Sequence, residues 1–203
     1  MARALRIWLL ILAFGALGGC SGQPKLPVLI GDDAILAFGD SLTFGTGAAP
    51  SESYPAVLAE LTGRKVVGDG VPGEVTAEGL RRLPGSLTTH QPKIVLLCLG
   101  GNDLLRRVDE KTIVANLREM IEVIRRHGAV PVLISVPRPA LFGGSAKFYA
   151  ELAREVGVAL EDDVVNDVLR DRSLKSDQIH PNAAGYRKIA ERIARLLQRA
   201  GAI

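Results

Sequence analysis

Ile94-Val95-Leu96-Leu97-Cys98-Leu99 is an apolar run without a polar interruption, bounded by Lys93 and by Gly100-Gly101. A strand with one face in water alternates apolar and polar residues. An unbroken run predicts burial on both faces, the situation of a strand inside a parallel sheet. Parallel neighbours cannot be joined by a tight turn and need a crossover, usually a helix. This one stretch therefore predicts an α/β chain with helices on both faces of its sheet. The remaining sequence supplies the other parts. Ala34-Ile35-Leu36-Ala37-Phe38, ending in Gly39, predicts a second buried strand, and Lys65-Val66-Val67, Ala129–Val136 and Val158-Ala159-Leu160 predict three more. Pro131 restricts the fourth of these to a starting or weakly paired position. Between them, Ser53–Leu61 reads as a helix with Pro55 in its first turn. Val75–Leu87 reads as a weaker helix, interrupted by Pro84-Gly85. Asp109 can cap a long helix with Ile113, Leu117, Met120, Ile121 and Ile124 on one face, stopped by Gly128. Phe148–Val156 reads as a short helix, and a last one starts near Pro181 and buries Tyr186, Ile189, Ile193 and Leu197. The expected architecture is a three-layer α/β/α domain around a mostly parallel five-stranded sheet.

The N-terminus has a different character. Arg3 and Arg6 precede the apolar run Ile7–Leu17, followed by Gly18-Gly19-Cys20, the pattern of a secretory signal. The run is short of the ~20 apolar residues that a membrane-spanning helix needs. Leu17-Gly18-Gly19-Cys20 resembles the bacterial lipobox, which implies acylation of Cys20 as the mature N-terminus. A soluble secreted protein or an uncleaved anchor is the alternative. Residues 1–19 are thus read as a lipoprotein-type signal peptide, 20–31 as a flexible tether and 32–203 as one domain. By the same resemblance, Ser21 implies sorting to the outer membrane of a Gram-negative cell, with the domain on the periplasmic side. Losing Arg3 and Arg6 with the leader takes the formal charge from +3 to +1, a balance that gives no sign of a nucleic-acid partner. Cys98 is then the one other cysteine and reads as a small core residue.

The candidate chemistry follows the strand ends. Ser41 lies in Gly39-Asp40-Ser41-Leu42-Thr43 after the first strand, Gly73 after the second, and Asn102 in Gly100-Gly101-Asn102-Asp103 after the third. In a parallel sheet these ends share one edge, so the three converge. Asp177 and His180 stand three apart in Asp177-Gln178-Ile179-His180-Pro181-Asn182, a spacing at which a carboxylate reaches the ring of its own histidine. A hydroxyl, a base, an orienting carboxylate and oxyanion donors are what acyl transfer requires.

In order and spacing these four blocks resemble those of the GDSL, or SGNH, hydrolases over roughly residues 34–197, closest to the bacterial arylesterase, acyl thioesterase and lysophospholipase branch. The resemblance implies a flavodoxin-like fold. It further implies Ser41 as nucleophile, His180 as base and Asp177 as its orienter. The N–H groups of Ser41 and Gly73 and the amide of Asn102 would form the oxyanion hole, with no metal and no cofactor. One departure stands out. Relatives often carry an Asn at the end of the second strand, where Gly68 and Asp69 stand here, and Glu74 directly follows Gly73. A carboxylate beside an oxyanion hole would oppose the developing charge, so Asp69 and Glu74 must point elsewhere.

Leu104-Leu105 and the stretch 137–144 should border the pocket, with Leu104, Leu141 and Phe142 as candidate substrate contacts. Asp40 and Asp103 read as turn-holding neighbours of the site, and His90 and His127 as helix-end residues. Gly45-Thr46-Gly47 is no dinucleotide fingerprint, since Pro50 occupies the place of a third Gly. The expected function is hydrolysis of acyl, thio- or aryl esters of a small-molecule or lipid substrate by a monomer. A carbohydrate or cell-envelope O-acetyl esterase is the enzymatic alternative, and a lipid- or glycan-binding lipoprotein the non-enzymatic one.

Overall fold

The computed structural model describes residues 23–138 and 145–203, so the signal segment and Cys20 lie outside the described residues. Five strands, β1 (Ala34–Gly39), β2 (Lys65–Gly70), β3 (Ile94–Cys98), β4 (Val130–Ile134) and β5 (Ala159–Glu161), form one sheet in the order β2-β1-β3-β4-β5. All four pairings are parallel. β1 and β3 lie side by side in the interior and every residue of both is buried, as their unbroken apolar runs require. Pro131 costs β4 no ladder bond. Val130 N–H donates to Lys93 O, so the nitrogen of Pro131 faces the β5 side, where pairing begins only at Val132 with Ala159.

Among the described residues eight α-helices accompany the sheet: α1 (Ser41–Phe44), α2 (Tyr54–Thr62), α3 (Thr76–His90), α4 (Gly101–Leu105), α5 (Glu110–Arg126) and α6 (Phe148–Val156) between the strands, and α7 (Val164–Arg170) and α8 (Ala183–Ala200) after the last of them. α2 and α7 pack against α8 in one layer, and α3 and α6 against α5 in the other.

Three features differ from the sequence reading. First, α3 runs unbroken through Pro84. A proline inside a helix costs ~3 kcal/mol, whereas a single buried Leu contributes about 2–5 kcal/mol. Leu83 and Leu87, both fully buried, hold the helix against the sheet on either side of the missing bond. Second, α7 was not anticipated. Its seven residues are few for a periodicity signal, although Val164, Val165, Val168 and Leu169 repeat at helical spacing.

Third, the stretch expected to be a flexible tether is docked over its described part. Leu26 N–H and Leu29 N–H donate to Ala200 O (2.9 Å) and Ala202 O (2.8 Å), and both leucine side chains are buried. The Gln23 amide accepts from Leu160 N–H at 3.0 Å and donates to Leu160 O at 2.9 Å, satisfying the outer edge of β5. Burial of two leucines outweighs the entropy that a Pro- and Gly-containing spacer would keep.

Candidate active site

Asp40 builds the first part of the site. Its Oδ1 accepts the N–H of Leu42 (3.0 Å) and caps α1, which places Ser41 in the first turn just beyond β1. Ser41 Oγ lies 3.0 Å from His180 Nε2. The other ring nitrogen, Nδ1, is 2.7 Å from Asp177 Oδ2. Asp177 Oδ1 in turn accepts the N–H groups of Ile179 and His180, both at 2.8 Å, so one carboxylate fixes the ring and its backbone together. Burial works to raise the pKa of Asp177, but these hydrogen bonds outweigh it and hold the carboxyl below its ordinary value. The loop carrying His180 is seated on Gly47, whose φ is +99° and where a Cβ would fall 2.6 Å from Pro181 O. Asn182 then caps α8 by accepting Gly185 N–H at 3.1 Å. The three side chains expected to act together form one hydrogen-bonded chain, a nucleophile–base–orienter sequence suited to attack on a carbonyl.

The residues expected to be oxyanion donors beside Ser41 follow the ends of β2 and β3. Gly73 adopts φ +81°, and its carbonyl accepts from Arg106 at 2.9 Å. The N–H groups of Ser41 and Gly73 donate to no acceptor among the described residues. Asn102 is the second residue of α4, just past a strand end anchored by Tyr149 Oη donating to Leu99 O at 2.6 Å. Its amide donates to Glu74 O (3.0 Å) and to Asp40 Oδ2 (3.2 Å). Asp103 is buried and accepts from Thr76 N–H (2.8 Å) and Thr76 Oγ1 (2.6 Å), tying α4 to the start of α3. Asp40 is buried too. Desolvation pushes its carboxyl up to about 7, against the opposing pull of the Leu42 N–H and His180.

The carboxylates of Asp69 and Glu74 both bind Arg82, at 2.5 Å and 2.8 Å. His127 caps α5, with Nδ1 2.9 Å from Val123 O, and Cys98 is buried, which pushes its thiol well up.

The pocket beside Ser41 has an apolar wall of Leu105, Val136, Pro137, Leu169 and Ile179. Leu104 is not part of it. On α4 one residue step turns the side chain by about 100°, so Leu104 packs against the core while Leu105 stays exposed and lines the pocket. Leu141 and Phe142 lie outside the described residues. The sequence reading missed Arg170 and Lys175, which share the pocket with Arg138. The unrecognised α7 carries Leu169 and Arg170 into it. Arg138 pairs with Glu110 at 2.5 Å, whereas Arg170 and Lys175 pair with no carboxylate among the described residues.

Comparison with known proteins gives the family. The GDSL-like Lipase/Acylhydrolase family matches residues 37–188, a span that holds Ser41, Gly73, Asn102, Asp177 and His180. This chain belongs to that family. It is an SGNH/GDSL-type carboxylic ester hydrolase. The Thioesterase 1/protease 1/lysophospholipase L1 of Escherichia coli K12 is 34% identical over 174 residues, covering 82% of this chain and 84% of that protein. An arylesterase of Vibrio mimicus is 31% identical over 176 residues, covering 81% and 88%. Among solved structures, that of TesA superimposes with a TM-score of 0.76 at 26% identity, covering 83% of this chain and 99% of its own. The five-stranded 2-1-3-4-5 sheet is the SGNH-hydrolase sheet, with the strand ends of this GDSL-family chain carrying its polar residues.

Proposed function

We propose that this hydrolase cleaves acyl esters and thioesters through an acyl-enzyme on Ser41, and that its preferred substrates join an apolar acyl chain to an anionic leaving group. The observation that carries the reading is the Ser41–His180–Asp177 chain at 3.0 and 2.7 Å, set against an apolar wall. In the proposed mechanism Ser41 Oγ attacks the carbonyl carbon while His180 Nε2 takes its proton. The resulting oxyanion accepts from the N–H groups of Ser41 and Gly73 and from the Asn102 amide, whose longer contact, to Asp40, is the one that yields. The carbon–oxygen or carbon–sulfur bond breaks as the imidazolium returns the proton to the leaving group. Water, deprotonated by His180, then repeats the attack and releases the acid and free Ser41. Leu105, Leu169 and Ile179 would receive the acyl chain. Arg170 and Lys175, which line the pocket and pair with no carboxylate among the described residues, would receive a phosphate-bearing leaving group such as that of a lysophospholipid or a coenzyme A thioester. The relatives named as lysophospholipase and thioesterase are in keeping with this.

A panel of p-nitrophenyl esters from acetyl to palmitoyl tests the acyl half. Activity rising from acetyl toward longer chains supports it. Activity confined to acetyl would make the chain an O-acetyl esterase, and none at all a binding protein. For the leaving group, Arg170→Ala with Lys175→Ala should lower kcat/KM on a lysophospholipid by about fivefold, the ~1 kcal/mol of an exposed charge contact, and leave p-nitrophenyl butyrate unaffected. Equal losses on both would remove the anionic assignment. The leader is proposed to deliver the domain to the periplasmic side of a membrane through acylated Cys20. Metabolic labelling with a palmitate analogue should mark the wild type and not Cys20→Ser.

A further inference from the structure

Arg82 on α3 lies behind the oxyanion loop and touches neither Ser41 nor His180, yet its guanidinium is fully engaged there. Nη1 donates to Asp69 Oδ1 (2.5 Å), Nε to Glu74 Oε1 (2.8 Å) and Nη2 to Glu74 Oε2 (2.8 Å) and Asp69 O (3.2 Å). Its flat face lies 4.0 Å above the ring centroid of Phe38, two residues before Asp40. Glu74 is almost wholly buried and packs so closely under α3 that a Cβ on Gly79 would stand 3.3 Å from its carboxylate. The cation is held all the more firmly: burial would lower the pKa of Arg82, but the bonds to Glu74 and the charge of Asp69 raise it instead.

Two consequences follow for the site. Gly73 sits between the two clamped carboxylates and is the chain neighbour of Glu74, so the fork fixes the backbone that presents the Gly73 N–H. The same residue, Glu74, offers its carbonyl to the Asn102 amide at 3.0 Å. Arg82 therefore braces two of the three oxyanion donors through one partner. It also neutralises negative charge beside a hole that must stabilise a developing anion. We propose that Arg82 is a positioning residue of the oxyanion hole: it preorganises Gly73 and Asn102 and offsets one of the two negative charges that Asp69 and Glu74 bring to this loop. A lysine could replace the charge but not the planar fork. This rests on the assignment of Gly73 and Asn102 as oxyanion donors.

The test is steady-state hydrolysis of p-nitrophenyl butyrate by the full domain. Arg82→Met, with wild-type far-UV circular dichroism, should lose kcat by on the order of 10²-fold, the scale of one oxyanion donor, with KM within about threefold. Arg82→Lys should fall between it and the wild type. Adding Asp69→Asn and Glu74→Gln to Arg82→Met should restore kcat at least about tenfold, because the uncompensated carboxylates are gone. A purely structural brace would show no such recovery. Wild-type kcat in folded Arg82→Met, a loss confined to KM, or no recovery in the neutralised variant each overturns the proposal. If Arg82→Met does not fold, Arg82→Lys decides: a fall in kcat at constant KM supports the role, and wild-type kcat overturns it. Failure of the donor assignment is seen separately, as an Asn102→Ala variant with wild-type kcat.

Discussion

Asp40 lies next to the nucleophile and is only 2% exposed, so its ionisation should be readable in the stability of the whole domain. Its carboxyl rises from 3.8 to about 7 on folding, chiefly through desolvation. The folded chain thus holds this proton more tightly than the unfolded chain. Below about pH 4 both states are protonated and the site costs nothing. As pH rises from there to about 7, the unfolded chain releases the proton first, and stability falls by up to ~1.4 kcal/mol per pH unit. Above that the loss is constant, on the order of 4 kcal/mol in all. Asp40→Asn removes the titration. It also introduces a mismatch, because one amide oxygen cannot accept from both Leu42 N–H and the Asn102 amide, at a cost of about 1–3 kcal/mol. Urea unfolding of both proteins between about pH 5 and pH 8 should start with the variant within about 2 kcal/mol of the wild type at the acid end. It should gain on the wild type by roughly 2–3 kcal/mol by pH 7, then hold a level difference. Groups that do not interact with Asp40 cancel in the comparison. Parallel profiles across this range would refute the buried-carboxylate reasoning.

Asn102→Ala should cost about 10²–10³ in kcat with little change in KM, the signature of a donor that acts in the transition state; a change confined to KM would make Asn102 a ground-state binder. Asp177→Asn should lower kcat/KM by on the order of 10³–10⁴, since Nδ1 loses its anionic partner and the imidazole can take the wrong tautomer. Because the Asp177 carboxyl is held below its ordinary value, its own protonation should not limit activity until the pH falls below the usual carboxylate range. Full activity in the variant would assign the orienting role to another group.

The sheet was legible because β1 and β3 are buried on both faces, which is why a short run such as Ile94–Leu99, bounded by Lys93 and Gly100, carries no polar interruption. The site was legible because Ser41, Asn102 and the Asp177–His180 pair each sit where a strand or helix ends, and such ends share an edge in this topology. What remained hidden depended on packing. Pro84 reads as a breaker locally, yet Leu83 and Leu87 hold the helix through it. Leu104 and Leu105 are equal in sequence and separated only by the phase of a five-residue helix. The tether reads as coil, and its leucines are placed by distant backbone partners, Ala200 and Ala202, that its own sequence does not show. Arg82 carries no motif of its own. It could have been inferred from the need to neutralise Asp69 and Glu74, which the sequence did show to be out of place beside Gly73.

The central claim, that Ser41 is the nucleophile of a Ser-His-Asp ester hydrolase, is most directly tested by treating the protein with an alkyl p-nitrophenyl phosphonate and mapping the adduct by peptide mass spectrometry. The account predicts one phosphonyl group, on Ser41 Oγ, appearing as esterase activity disappears. An adduct on any other residue, or inactivation with Ser41 unmodified, would contradict it.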